Sequence, residues 1–140
     1  IQTWEAGEYF RASVMLQSLF LTIHDIRGTD YRSLDLNTIY EYIQEHYADQ
    51  DLSIGTLAEL VYLTPTYLST VFKKQTGLTI GQYLLEVRVE NAKQKMRDPQ
   101  LKFYQVSEMV GYEDANYFAK IFKKKTGVTP TEYKESLQMR

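Results

Sequence analysis

YLSTVFKKQTGLTIGQYL at 67–84 and YFAKIFKKKTGVTPTEYK at 117–134 are two copies of one stretch. At an offset of 50, eight of the 18 positions are identical: Tyr67, Phe72, Lys73, Lys74, Thr76, Gly77, Thr79 and Tyr83 each meet their own kind. Upstream the likeness continues at an offset of 49, where LAELVYL at 57–63 faces VSEMVGY at 106–112. Self-similarity at a fixed spacing marks a repeated supersecondary unit, so the fold of the chain is decided by the fold of one copy.

Each copy parses as three helices. Ser53 is an N-cap, and Ile54, Leu57, Ala58 and Val61 follow at helical spacing. After a break at Tyr62 and Leu63, Thr64 caps a second helix with Pro65 at its first position, where a missing N–H costs nothing. That helix stops at Gly77, which takes the left-handed conformation cheaply. Thr79 and Gln82 form a capping-box pattern for a third, longer helix, closed by Asp98 and Pro99. In the second copy Val106, Met109 and Val110 are expected to face inward and Gly111 opens the turn. Asp114 caps the next helix, Gly127 ends it, and Thr129-Pro130-Thr131-Glu132 starts the last one.

Two amphipathic helices precede the repeat. Leu36, Ile39, Tyr40, Ile43 and Tyr47 form a stripe over 36–47. Ala12, Met15, Leu16, Leu19, Phe20, Ile23 and Ile26 form another over 8–27, broken at Gly28-Thr29-Asp30. No period-two strand pattern occurs. The expected fold is all-α: two tandem helix-turn-helix subdomains of the homeodomain-like kind (about 53–76 and 104–126). A long helix, about 80–97, joins them, and an N-terminal linker helix precedes them.

Composition narrows the function. The chain has no cysteine, which removes disulfides, zinc-thiolate sites and thiol nucleophiles and suits a reducing cytoplasm. His24 and His46 have no companions at metal-ligand spacing, and no metal or cofactor is expected. No apolar run approaches the length of a membrane span. The net charge of −2 at first argues against a nucleic-acid partner. Residues 1–50, however, carry three basic and eight acidic side chains (−5), and residues 51–140 carry thirteen and ten (+3). Such asymmetry fits a chain of which one part meets a polyanion. Ile1 stands where a complete protein has Met, and the chain is expected to be the end of a longer protein.

A short helix, a tight turn and a second helix of about eleven residues form the helix-turn-helix layout, whose second helix fits the major groove. Leu68, Val71 and Phe72, like Phe118, Ile121 and Phe122, mark the buried side. Thr66, Ser69, Thr70 and Lys73 then face outward, answered by Asn116, Ala119, Lys120 and Lys123. Lys73 and Lys74 close one helix and Lys123, Lys124 and Lys125 the other. A lone lysine pair there is usually a solvated face favoured by the helix dipole, but the same cluster in both copies favours phosphate contact.

LAELVYLTPTYLSTVFKKQTG (57–77), LLEVRVENAKQKM (84–96) and VSEMVGYEDANYFAKIFKKKTGVTPTEY (106–133) together resemble the AraC/XylS DNA-binding domain over roughly 36–140. The second copy is the most specific part, through Gly111-Tyr112, Tyr117-Phe118 and FKKKTGVTP. The resemblance implies seven helices over a DNA-binding domain of about 30–140, preceded by a linker or dimerisation helix at 1–29. It implies a sequence-specific transcription regulator, an activator in the bacterial cytoplasm and nucleoid, bound to double-stranded DNA. Two recognition helices then enter successive major grooves, roughly 34 Å apart.

Carried over by position, base reading falls on Thr66, Ser69 and Thr70 in the first unit and on Ala115, Asn116, Ala119 and Lys120 in the second. Thr64, Lys73, Lys74, Arg88, Lys123, Lys124 and Lys125 are the phosphate candidates, with Arg88 open to a bracing role instead. The first unit lacks the Arg, Gln or Asn of better-armed members, whereas Asn116 can pair with adenine and Lys120 can reach guanine.

An upstream sensor domain is expected before residue 1. The 8–27 helix either pairs with a second chain or folds back on the DNA-binding unit. Some DNA-repair methyl-acceptor proteins carry the same helix pair, but their chemistry needs cysteine thiolates, so an enzyme is not expected. The better rival is a helical interaction module for an acidic partner or an RNA polymerase subunit.

Overall fold

The structure is a computed structural model that describes residues 35–139; the expected 8–27 helix lies outside the described residues. Seven helices and no strands occur among the described residues: α1 Asn37–His46, α2 Ile54–Leu60, α3 Pro65–Thr76, α4 Ile80–Lys95, α5 Phe103–Met109, α6 Ala115–Thr126 and α7 Pro130–Gln138. They divide into two compact units. One takes in residues 35–42 and Leu52–Ile80, the other Ile43–Asp51 and the chain from Gly81 on.

The first unit is closed by the caps its sequence announces. The Ser53 side chain accepts from the Thr56 amide and the Thr64 side chain from the Tyr67 amide, with Pro65 opening α3. Between α2 and α3 the Leu63 amide donates to the Ala58 carbonyl and the Tyr62 amide to the Glu59 carbonyl. This pair of bonds satisfies carbonyls that a helix end leaves open and requires a left-handed residue between the helices. Tyr62 supplies it, with φ of 56°. Ile39, Leu57, Val61, Leu68, Val71 and Phe72 are buried, and Tyr40 meets Phe72 edge to face at 5.9 Å.

The second unit repeats the design on a more aromatic core. Val89, Ala92 and Met96 of α4 and its end pack with Val106, Val110, Phe118 and Phe122. Phe103 and Tyr112 stack on Phe118 at 5.5 and 4.5 Å, and Tyr133 closes on Phe122 at 5.6 Å. The α5–α6 turn has the same two bonds, from Tyr112 to Ser107 and from Gly111 to Glu108, and here glycine holds the left-handed position at φ of 101°.

The long helix closes at Lys95, within its expected bounds, because the Arg97 and Asp98 amides turn back to Gln94 and Lys95 in tighter i to i+3 bonds. One expectation shifts. Met109 does not face inward: it is 46% exposed, since Val106 and Val110 already fill the inner face four residues apart.

Candidate nucleic-acid interface

The candidate base-reading residues lie on the second helix of each unit, α3 in the first and α6 in the second. Each begins at a side-chain cap and ends at a left-handed glycine, Gly77 or Gly127. Each also has a threonine in its last turn that hydrogen-bonds its own backbone. Thr76 donates to the Phe72 carbonyl at 2.7 Å and Thr126 to the Phe122 carbonyl at 2.8 Å. The amides of Leu78 and Val128 return to those hydroxyls. The repeated Phe, Thr and Gly are therefore residues of the fold. The base-reading candidates, Thr66, Ser69 and Thr70 in one copy and Asn116, Ala119 and Lys120 in the other, are positions at which the copies differ.

On α3, Thr66 is exposed while Ser69 and Thr70 are half-buried. The Thr70 hydroxyl donates to the Thr66 carbonyl at 2.9 Å, leaving it as an acceptor toward solvent. Thr64 accepts from the Tyr67 amide, so its hydroxyl hydrogen is the part left for a neighbour. Lys73 and Lys74 are exposed, and Lys73 Nζ donates to the Gly77 carbonyl at 2.8 Å. That bond is the helix-end role of a lysine, favoured by the dipole.

On α6, Asn116 and Lys120 are exposed and share one side of the helix four residues apart; Ala115 and Ala119 are half-buried beside them. Lys123 continues the Asn116–Lys120 side, and Lys124 lies next to it. Lys125 does not join them. By helical spacing it falls on the Phe118–Phe122 side, and its Nζ is 2.7 Å from Glu86 of α4. The three clustered lysines thus separate into two that point outward and one that is paired.

The cap of α6 differs from that of α3 in charge. Asp114 accepts from the amides of both Asn116 and Tyr117, at 2.9 and 3.1 Å. This closes the first-turn amides with a carboxylate where α3 uses a neutral hydroxyl.

Arg88, open both to phosphate contact and to a bracing role, has its guanidinium held by groups of the protein. It is 8% exposed. Its Nε donates to the Tyr47 carbonyl at 2.7 Å, its Nη2 donates to the Asp49 carbonyl at 2.9 Å, and its Cζ lies 5.0 Å from the centre of the Tyr112 ring.

In the sequence Tyr117 stands out only as half of the Tyr117-Phe118 pair. It is 58% exposed at the foot of α6, with its ring 6.3 Å from that of Tyr112. The signal was its place three residues before Lys120, off the spacing of the buried Phe118 and Phe122. Among the described residues no group of His, Asp and Glu is arranged to hold a metal ion, and no helix is long and apolar enough to cross a membrane.

Two short-helix, turn, recognition-helix units in one chain define a tandem helix-turn-helix domain, and the family model described as a helix-turn-helix domain matches residues 57–136. The C-terminal domain of the two-component response regulator yesN from Fusobacterium nucleatum is 40% identical in sequence, with a TM-score of 0.66 over 69% of this chain and 94% of that one. The HTH-type transcriptional regulator YijO of Escherichia coli is 31% identical over 128 residues, 88% of this chain and 45% of its own length. The arabinose operon regulatory protein of the same organism is 33% identical over 94 residues, 67% of this chain and 32% of its own length. The chain belongs to the AraC/XylS family of helix-turn-helix regulators. It spans less than half the length of these two curated relatives.

Proposed function

We propose that this chain is the DNA-binding part of a transcription regulator that reads an asymmetric duplex site with two unequal recognition helices. In this reading α6 is the base reader. Asn116 offers the paired donor and acceptor that adenine presents in the major groove, and Lys120 reaches guanine. Helix α3 is the register clamp, with Thr64, Thr66, Ser69 and Thr70 offering hydroxyls and Lys73 and Lys74 offering charge to the backbone. The observation that carries it is the outward face of α6, where exposed Asn116, Lys120 and Lys123 line one side of a helix whose other side buries Phe118 and Phe122.

The same reading puts a sensor domain upstream in the full-length protein and makes the 8–27 segment its linker or a site of pairing with a second chain. It also gives the regulator a cytoplasmic address and allows contact with RNA polymerase. It assigns no enzymatic step.

Selection from a random duplex library, followed by electrophoretic shifts, tests the proposal. The expected result is one enriched motif, weakened and broadened by Asn116→Ala and Lys120→Ala. No binding to duplex at low salt would turn the reading toward a protein-interaction module. An enriched motif unchanged in both variants would show that the base-reading register is assigned wrongly.

A further inference from the structure

Tyr117 stands apart from every other tyrosine of the second unit. Tyr112 and Tyr133 are half-buried against the aromatic core. Tyr117 is on a recognition helix and is 58% exposed, and Tyr104, its rival in exposure, is on the short helix α5. Helical spacing puts Tyr117, Lys120 and Lys124 in one row along α6, at i, i+3 and i+7. The row flanks the Asn116–Lys120–Lys123 side, so when that side faces bases the row faces the adjoining backbone strand. The ring is not left to swing freely. Tyr112 lies 6.3 Å from it at a tilt of 56°, and Tyr112 is itself stacked on Phe118 and covered by Arg88. The first unit lacks this support, since Leu63 stands where the second has Tyr112. The helix amides beside Tyr117 are already taken by Asp114. A phosphate on this flank must therefore be met by side chains.

We propose that the Tyr117 hydroxyl donates a hydrogen bond to a DNA phosphate on the Lys120–Lys124 flank of α6, as a neutral positioning contact independent of sequence. This rests on the DNA-binding reading. A neutral donor to a charged oxygen strengthens binding without releasing a counterion, unlike a lysine.

The test is fluorescence anisotropy with the selected duplex and a random duplex, across a salt series, for the wild-type chain, Tyr117→Phe, Tyr117→Ala and Lys124→Ala. Tyr117→Phe keeps the ring and its packing on Tyr112, so it guards against a folding defect. Expected is a loss of about tenfold for Tyr117→Phe, matched by Tyr117→Ala to within about twofold, equal on both duplexes, with the salt slope unchanged. Lys124→Ala lowers that slope by about one. Wild-type affinity in Tyr117→Phe, or a loss confined to the selected duplex, overturns the phosphate contact while leaving DNA binding intact. Failure of the wild-type chain to bind either duplex overturns the DNA reading itself.

Discussion

Arg88 and Gly111 are built against each other: a Cβ added at Gly111 would lie 3.1 Å from Cζ and from Nη2 of Arg88, and 3.1 Å from the Ala48 carbonyl oxygen. Gly111 also has φ of 101°, a conformation that an L side chain adopts only under strain. The turn of the second helix-turn-helix therefore needs glycine on two counts, for its own dihedral and for the guanidinium beside it. Gly111→Ala is expected to destabilise the chain by at least about 2 kcal/mol. Urea unfolding monitored by circular dichroism measures this, and a loss below 0.5 kcal/mol (roughly the range of a neutral surface change) would contradict the close approach.

The guanidinium side of the same contact yields a separate expectation. Arg88 ties the backbone at Tyr47 and Asp49 to α4 through two donors, and its removal leaves both carbonyls without that partner. Arg88→Ala should cost about 3 kcal/mol of stability, and Arg88→Lys most of that, because an ammonium lacks the planar fork that spans both acceptors. The salt slope of DNA binding, measured where the variant remains folded, should not change. A slope reduced by about one would return Arg88 to the phosphate contacts.

The corresponding turn of the first unit should respond in the opposite sense. Tyr62 holds φ of 56° with its side chain 45% exposed, where the second unit has Gly111. Left-handed strain on a non-glycine residue costs roughly 1–2 kcal/mol, while glycine costs about 0.5–1 in unfolded-state entropy. Tyr62→Gly is therefore expected to leave stability unchanged or raise it by up to about 1 kcal/mol. Thermal unfolding of the variant decides, and a fall of more than that amount would mean that the ring's packing outweighs the strain.

These contrasts mark how far the sequence could be read. Helix number, caps and turns were legible because Ser53, Thr64, Asp114, Thr129 and the closing glycines are local signals, each acting within three or four residues. The reason for one repeated residue was not: Thr76 matches its second-unit counterpart because its hydroxyl bonds the backbone at the helix end, whereas buried Phe72 and the closing Gly77 were read from spacing. The partner of Lys125 lay 39 residues away on α4, and no local spacing announces such a pair. Strain at Tyr62 was equally hidden, since tyrosine at a turn carries no mark of positive φ. Arg88 could be located but not assigned, because its acceptors are backbone carbonyls, which every sequence has.

The lysine cluster at the end of α6 can be sorted by ionic strength. Lys123 and Lys124 point outward, whereas Lys125 is held 2.7 Å from Glu86. Lys123→Ala and Lys124→Ala should each lower the salt slope of duplex binding by about one, and Lys125→Ala should leave it nearly unchanged. The Lys125–Glu86 pair is about 39% exposed on both sides, so its loss should cost well under 1 kcal/mol of stability. Equal slopes for all three variants would mean that Glu86 releases Lys125 to the phosphates.

Asp114 sets a price on bringing α6 close to a polyanion, and that price should be removable without unfolding the helix. Its carboxylate accepts from the Asn116 and Tyr117 amides, two bonds that a serine cap can replace in part. Asp114→Ser keeps a capping oxygen and removes one negative charge from the end of the helix that carries Asn116. The helix gives up the favourable charge–dipole interaction, about 0.3–1 kcal/mol, so a small fall in stability is expected. Duplex affinity should rise about three- to tenfold at low salt, on specific and random sequences alike, with the gain shrinking as salt screens the phosphates. Asp114→Ala separates the two effects: it removes the cap as well as the charge, and should lose about 1 kcal/mol of stability while showing a similar gain in affinity. If both variants bind more weakly than the wild-type chain, the carboxylate is needed to hold Asn116 in its reading position, and cap order outweighs repulsion at this end of α6.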